Sequence, residues 1–203
     1  MLTAAPDDDK PISNFTMRSV LETLRELNPA EAETLLRDAG LERALTAPLG
    51  DGAPTIVRTS ELARLYATVF KLTGETLTRV FLNNYGHKMA PMLLKHPEMV
   101  KRLEQSKGIP ASERLGWAAR EIQRFLNGIW AAVSFREDAD AYYLEIERCP
   151  ICANIHGTRS PICASSEFLY TALARGLVGQ RVSFVECECR AQGARVCAYR
   201  LRK

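Results

Sequence analysis

Cysteine is absent from the first 148 of the 203 residues, although the chain contains six cysteines in all. These are Cys149, Cys152, Cys163, Cys187, Cys189 and Cys197. A hydrophobic core uses cysteine wherever a small apolar side chain fits, so such crowding indicates a local cause. Two causes are open at this point, a metal site and a set of disulfide bonds.

An export signal is also lacking. The N-terminus carries Asp7, Asp8 and Asp9 where a signal peptide has basic residues followed by an apolar stretch. We therefore expect a cytoplasmic protein, in which thiols stay reduced. This expectation favours metal over disulfides as the reason for the cysteines.

Long apolar runs are missing as well. The longest uncharged stretch of the apolar part, residues 125–135, is far shorter than the ~18 residues needed to cross a bilayer. The chain is 46% hydrophobic and 25% charged, values of an ordinary globular protein that exclude a disordered one. Its net charge of +3 is concentrated in residues 176–203, with six basic against two acidic residues. This stretch has no Lys/Arg-rich recognition helix, so a nucleic-acid partner is not expected.

Catalytic motifs are the last absence. The sequence has no Gly-x-Ser-x-Gly, no phosphate-binding loop and no dinucleotide fingerprint. None of the three histidines, His87, His96 and His156, stands at an informative spacing from a carboxylate or a nucleophile. We therefore assign no catalytic residue, and whether the protein is an enzyme stays open.

Apolar residues at helical spacing dominate the chain up to about residue 130. They predict helices at about 15–27, from 29 to about 40, from about 60 onward and after 110. The predicted boundaries and breaks lie at Asn28, Pro29, Gly40, Thr59 or Ser60, Gly74, Pro91, Pro97 and Pro110.

The period changes at about residue 130. Apolar and polar residues alternate over 142–147, which predicts a half-buried strand, with 131–135 as its hairpin partner. A helix at 162–178 and strands at 182–189 and 196–201 follow. The order is helices and then β-β-α-β-β, so we predict an α+β fold, a helical bundle packed on an antiparallel sheet.

Three segments follow from this pattern: a flexible segment at 1–13, a helical part at 14–130 and a metal-binding α+β part at 131–203. No linker rich in proline, glycine or serine separates the last two. One integrated domain is therefore favoured.

Four residues of the last segment can supply a tetrahedral zinc site. Cys189 and Cys197 flank a turn at Gly193, so a hairpin would bring both thiols to one ion. Glu186 and Cys189 are three residues apart and face opposite sides of a regular strand, so they converge only if the strand bends or ends near 187. Cys163, at a helix start where the dipole favours a thiolate, would complete a closed, structural Zn²⁺ site.

Cys149 and Cys152 form a Cys-x-x-Cys pair in the preceding loop. They can be structural residues, an auxiliary metal-binding pair or a redox pair. To complete a metal site they would need two of Cys163, Cys187 and Cys189, in competition with the zinc site. A four-thiolate iron–sulfur cluster built on Cys149, Cys152, Cys163 and another cysteine is a further alternative.

The spacing of these residues resembles a known signature. Cys163 is followed after twenty-two residues by Glu186-Cys187-Glu188-Cys189, then Ala191, Gly193 and Cys197-Ala198-Tyr199. This pattern resembles the C-terminal signature of the 4-vinyl reductase domain family. It is similar to the zinc site in the sensor domains of aromatic-responsive bacterial transcription regulators. The resemblance covers roughly residues 140–201. It implies a fold similar to trafficking-complex and nitric-oxide-sensor ligand-binding domains, often dimeric.

The resemblance also implies a pocket between helices and sheet for a small aromatic or hydrophobic molecule. Phe184 and Tyr142 stand where the sensor domains have pocket-lining aromatic residues. Trp117 and Trp130 are further candidate pocket walls. The alternative is that all four aromatic side chains are core residues.

Three functions are therefore considered. The first is a zinc-stabilised, homodimeric protein that senses or carries a small hydrophobic ligand. The second, implied by stand-alone members of the family, is a tetrapyrrole-binding protein of bacteriochlorophyll synthesis, of the 4-vinyl reductase type. The third is a zinc-dependent nucleic-acid binder, for which only the basic C-terminal stretch argues.

Overall fold

Helices occupy the N-terminal two thirds of the computed structural model, which describes residues 9–48, 50, 53–129 and 132–203. Two very short strands, β1 (Pro11–Ile12) and β2 (Val57–Arg58), accompany them. The helices are α1 (Asn14–Leu27), α2 (Pro29–Asp38), α3 (Thr59–Leu94), α4 (Pro97–Ser106) and α5 (Ala111–Ile129). None of the described helices is long and apolar enough to cross a membrane.

The first two helices begin where the sequence predicts. Ser13 caps α1 by accepting a hydrogen bond from the backbone N–H of Thr16 at 3.2 Å. Asn28 caps α2, its side-chain oxygen accepting from the N–H of Glu31 at 3.3 Å, and Pro29 takes the first helical position. Both arrangements satisfy N–H groups that lack a partner within the helix.

Helix α3 confirms one predicted break and corrects two other predictions. Gly74 has φ 75° and ψ 178°, outside the helical region, so the helix is interrupted there. The predicted cap at Thr59 or Ser60 is wrong, because Thr59 is already helical and the N–H of Arg58 bonds Glu61. The predicted break at Pro91 is wrong too: Pro91 is exposed, and the buried side chains around it hold the helix together as far as Leu94.

The C-terminal third has the predicted β-β-α-β-β order. Its elements are β3 (Val133–Glu137), β4 (Ala141–Ile146), α6 (Ala164–Val178), β5 (Phe184–Glu188) and β6 (Cys197–Arg202). The four strands form one antiparallel sheet in the order β3-β4-β6-β5. The predicted α+β fold is thereby confirmed.

The pairing of β4 with β6 determines what lies beside the cysteine loop. Ile146, at the end of β4, is opposite Cys197, at the start of β6. The loop after β4, which carries Cys149 and Cys152, therefore starts next to Cys197.

Helix α6 lies between the helical part and the sheet and packs against α3, α5 and β5. Buried side chains from α1 to β6 form one continuous hydrophobic cluster. The helices α3 and α6 meet at Gly86, where a Cβ atom would lie 2.9 Å from Cα of Ser165. This close contact positions the first turn of α6.

The start of the described chain is held by the ladder of β1 and β2, which pairs Ile12 with Val57. The N–H of Thr59 donates to the carbonyl of Lys10 at 2.9 Å, and the Asp9 carboxylate accepts from Ser60. The sequence pattern, which predicts a flexible segment at 1–13, did not indicate this pairing. It ties the N-terminal segment to the start of α3.

Candidate metal centre

A bulge in β5 determines which side chains face the core. Glu186 pairs with Tyr199 and Glu188 with Ala198, so the register shifts between these two glutamates. Glu186 and Cys189 are both buried, whereas Cys187 between them is exposed. The strand therefore bends near 187, as convergence of Glu186 and Cys189 requires.

The bulge brings the four predicted zinc ligands together. The ligand atoms of Cys163, Glu186, Cys189 and Cys197 all lie within 4.8 Å of one another, and all four residues are buried. Cys163 is the N-cap residue of α6, and its N–H donates to Oε2 of Glu186 at 3.0 Å. The other carboxylate oxygen, Oε1, is buried without a hydrogen-bond partner.

Cys149 and Cys152 complete a second, overlapping set. The Sγ atoms of Cys149, Cys152, Cys163 and Cys197 also lie within 4.8 Å of one another. The prediction that the pair would combine with two of Cys163, Cys187 and Cys189 is wrong, because Cys197 takes the second place. The cause is the β4–β6 pairing, which places Cys197 beside the loop.

The distances within this second set fit thiolates around a single ion. Sγ of Cys149 is 3.6 Å from Sγ of Cys163, Sγ of Cys152 is 3.8 Å from that of Cys163, and Sγ of Cys152 is 3.2 Å from that of Cys197. A tetrahedral ion with 2.3 Å metal–sulfur bonds separates its sulfurs by about 3.8 Å. In an iron–sulfur cubane each cysteine binds a different iron, which spreads the sulfurs further apart.

The donors therefore suit a thiophilic ion. All six cysteines are free, five of them are buried, and the unpartnered Oε1 of Glu186 is a buried oxygen with a place for a cation. Buried charges are normally paired or bound to a metal. The buried cysteine cluster can hold a metal ion.

Without a cation the cluster retains protons. Burial, with the Cys189 thiolate as the next cause, raises the pKa of Glu186 to about 9. Hydrogen bonds from Cys152 and other thiols lower the pKa of Cys149 and of Cys189. Hydrogen bonds to Cys149 raise the pKa of Cys152, Cys163 and Cys197. A metal ion must displace these protons, so its binding will strengthen as the pH rises.

A carboxylate from the helical part holds the loop that leads into Cys163. Glu75, just after the break in α3, accepts from the N–H and hydroxyl of Ser160 at 3.0 and 2.6 Å. Its other oxygen accepts from the N–H of Arg159 at 3.0 Å. These bonds, with that to the Ser160 hydroxyl first, lower the pKa of Glu75. No local pattern in the sequence indicates this contact, since 85 residues separate the partners.

The predicted pocket residues lie at the helix–sheet interface. Phe184 and Tyr142 both pair with Leu201, so they occupy one row across the sheet. Phe184 is buried edge-on against Tyr170, with ring centroids 6.0 Å apart. Tyr142 is half-buried and stacks on Phe135, also at 6.0 Å.

The two tryptophans have different outcomes. Trp117 is half-buried on α5 and packs against the core. Trp130 lies outside the described residues.

A small cavity lies in the same interface, against the cysteine loop. Its volume is about 10 Å³, close to what one water molecule needs. Its walls are mostly apolar and include Leu126, Val133, Ile146 and Cys149, with Ser166 and Tyr170 from α6. The cavity thus joins α5, α6 and the sheet at a cysteine of the cluster.

Comparison with known proteins agrees with this geometry. Residues 142–203 match the family model of the 4-vinyl reductase domain. The match contains all six cysteines and Glu186, and it confirms the resemblance predicted from their spacing. Comparison with curated protein sequences found no match.

Solved structures extend the similarity beyond the region that matches the family model. A structure from work on heme distortion in the H-NOX family has 14% identity and a TM-score of 0.51, covering 94% of this chain and 93% of that chain. An oxygen-binding H-NOX domain related to soluble guanylate cyclases has 14% identity, the same coverages and a TM-score of 0.46. The phenol-responsive sensory domain of the transcription activator PoxR, with phenol, has 15% identity, coverages of 82% and 89%, and a TM-score of 0.42. The first of these shows that residues 142–203 and the preceding helices together have an H-NOX-like fold.

Proposed function

We propose that this protein is a small-molecule-binding domain of the sensory type, held together by zinc and selective for a small hydrophobic or aromatic ligand. The observation that carries the proposal is the shared position of Cys149, which belongs to the buried thiol cluster and also lines the cavity between helices and sheet. A ligand in the cavity would therefore contact a residue of the metal centre directly.

Zinc is the proposed ion because the donors are thiolates and one carboxylate, at spacings typical of a structural site. When bound, zinc would fasten the start of α6 to the loop after β4 and to the β5–β6 hairpin. The residues involved supply only ligands. We therefore assign the metal a stabilising role.

The cavity determines what a ligand must do to enter. At about 10 Å³ it holds about one water molecule, so an aromatic ring fits only if α5 or α6 moves away from the sheet. Because α6 begins at Cys163, such a movement would be transmitted to the cluster. Another protein of this fold, the H-NOX structure named above, is described by its heme. This supports the idea that the fold accommodates a small molecule.

The experiment is a thermal-shift screen of the metal-replete protein against phenols, other small aromatic compounds and tetrapyrroles. We expect a small aromatic compound to raise the melting temperature, because ligands that bind only the folded state stabilise it. Failure of every compound to do so would contradict ligand binding. Stabilisation by tetrapyrroles alone would favour the bacteriochlorophyll alternative, which needs a much larger opening.

A blocking variant tests where the ligand binds. Ser166 is buried on α6 and lines the cavity, so Ser166→Leu should fill the space and abolish the shift. Ala172→Leu, on the same helix but away from the cavity, is the control and should keep the shift. Light scattering on the same samples tests the proposed homodimer.

A further inference from the structure

The two metal-binding sets share two of their four members. Cys163 and Cys197 belong to both, Cys149 and Cys152 belong only to the first, and Glu186 and Cys189 only to the second. The cluster therefore offers six donor residues. One four-coordinate ion uses four of them and leaves two buried donors without a metal.

We propose that the cluster binds two metal ions, with the thiolates of Cys163 and Cys197 bridging them. One ion has Cys149 and Cys152 as its other ligands, and the second has Glu186 and Cys189. The inference rests on the metal-binding part of the proposed function and is independent of the small-molecule ligand.

The positions of the shared thiols suit a bridge. Each lies within 4.8 Å of every other ligand atom in both sets. The unshared pairs come from different elements, the loop after β4 on one side and the bulged β5 on the other. A thiolate sulfur has lone pairs for two metal bonds, so two central sulfurs can serve an ion on either side.

A single ion fits these contacts less well. In the four-cysteine set it would leave Oε1 of Glu186 buried without a partner. In the set with Glu186 it would leave Cys152 only 3.2 Å from the ligating sulfur of Cys197, and Cys149 3.6 Å from that of Cys163. Two ions give every one of these donors a bond.

Charge balance permits the second ion. Five thiolates and one carboxylate carry six negative charges, which two divalent ions reduce to two. One divalent ion with four anionic ligands also leaves two negative charges. Adding the second ion with its two ligands therefore buries no additional net charge.

The protein compensates the remaining charge at both bridging residues. Cys163 lies at the N-terminus of α6, where the helix dipole favours a negative charge. The N–H of Arg190 donates to Sγ of Cys197 at 3.5 Å. Such outer contacts orient and stabilise metal ligands.

The first test counts zinc in the wild-type protein by elemental analysis and native mass spectrometry after purification without chelator. We expect two ions per chain. The doubles Cys149→Ser/Cys152→Ser and Glu186→Gln/Cys189→Ser should each retain one ion. The control Cys187→Ser, at an exposed cysteine outside both sets, should retain two. One ion per wild-type chain would overturn the proposal.

The second test needs no variant. The metal-free wild-type protein is loaded with ¹¹³Cd and examined by NMR. Two resonances with scalar coupling between them are expected, because a shared sulfur links the two nuclei. Two uncoupled resonances, or one, would overturn the bridge. Neither result affects the thermal-shift screen, so failure of this proposal is distinguishable from failure of ligand binding.

Discussion

The backbone N–H of Cys163 donates to Oε2 of Glu186 over 3.0 Å, and this bond joins the start of α6 to the bulge of β5. It fixes the orientation of a carboxylate whose other oxygen has no protein partner. The carboxylate is thus held in place by one oxygen while the other stays available to a cation. Two elements 23 residues apart in sequence meet at this point.

Replacement of Glu186 by glutamine should weaken zinc binding. The amide oxygen of Glu186→Gln can still accept from Cys163, but the negative charge is lost. We expect a loss of about tenfold or more in affinity, measured by competition with a chromophoric chelator. Glu188→Gln is the control, because Glu188 is exposed on the same strand. Equal affinities of wild type and Glu186→Gln would exclude the carboxylate as a ligand.

Cys197 belongs to both metal-binding sets, so its removal should affect stability most. Cys197→Ala should lower the melting temperature, and chelator should lower it no further. In the wild type, loss of an ion present at 100 times its Kd removes about 2.7 kcal/mol of stability. Cys187→Ala, at the exposed cysteine, should behave as wild type. A wild-type melting temperature unchanged by chelator would show that metal does not stabilise the fold.

Much of the centre could be predicted from sequence because it is locally encoded. Glu186, Cys189 and Cys197 lie on one hairpin, whose turn is marked by Gly193 with φ 94°. The parity of Glu186 and Cys189 on the strand also required a bend near 187, and the register shift there supplies it. Short-range spacing and period-2 alternation were sufficient for these features.

The partners of Cys149 and Cys152 could not be predicted in the same way. Their contact with Cys197 depends on the pairing of Ile146 with Cys197 across the sheet, and a hairpin pattern contains no information about which strands become neighbours. The β1–β2 ladder has the same character, since Ile12 and Val57 are far apart in the chain. Non-local pairing is determined by packing of the whole fold, so it is not apparent in local periodicity.

Stability should depend on pH through Glu75. Its pKa is lowered in the folded protein, first by the Ser160 hydroxyl, so its contribution is present above the unfolded pKa and is lost as the pH falls through the folded one. Glu75→Gln should therefore be less stable than wild type near neutral pH, and the difference should shrink below about pH 4.5. Denaturant unfolding of both proteins at each pH measures it.

The control for this experiment is Glu33→Gln, which removes an exposed carboxylate of α2 outside the Glu75 contact. Both variants lose one negative charge, so effects of net charge cancel in the comparison. A stability difference for Glu75→Gln that stays constant with pH would show that the carboxylate contributes through packing alone.

The close contact of α3 with α6 should not tolerate a side chain at Gly86. A Cβ there would lie 2.9 Å from Cα and 3.0 Å from the carbonyl oxygen of Ser165, and backbone atoms cannot rotate away. Gly86→Ala should cost roughly 1–3 kcal/mol through overpacking, although alanine favours a helix over glycine by about 1 kcal/mol. Gly128→Ala, in α5 with open space around its Cβ, should be neutral or slightly stabilising. Because Ser165 is in the first turn after Cys163, Gly86→Ala should also weaken zinc binding. Chemical denaturation and chelator competition on the two variants measure both effects, and a Gly86→Ala protein as stable as Gly128→Ala would show that the two helices can separate without cost.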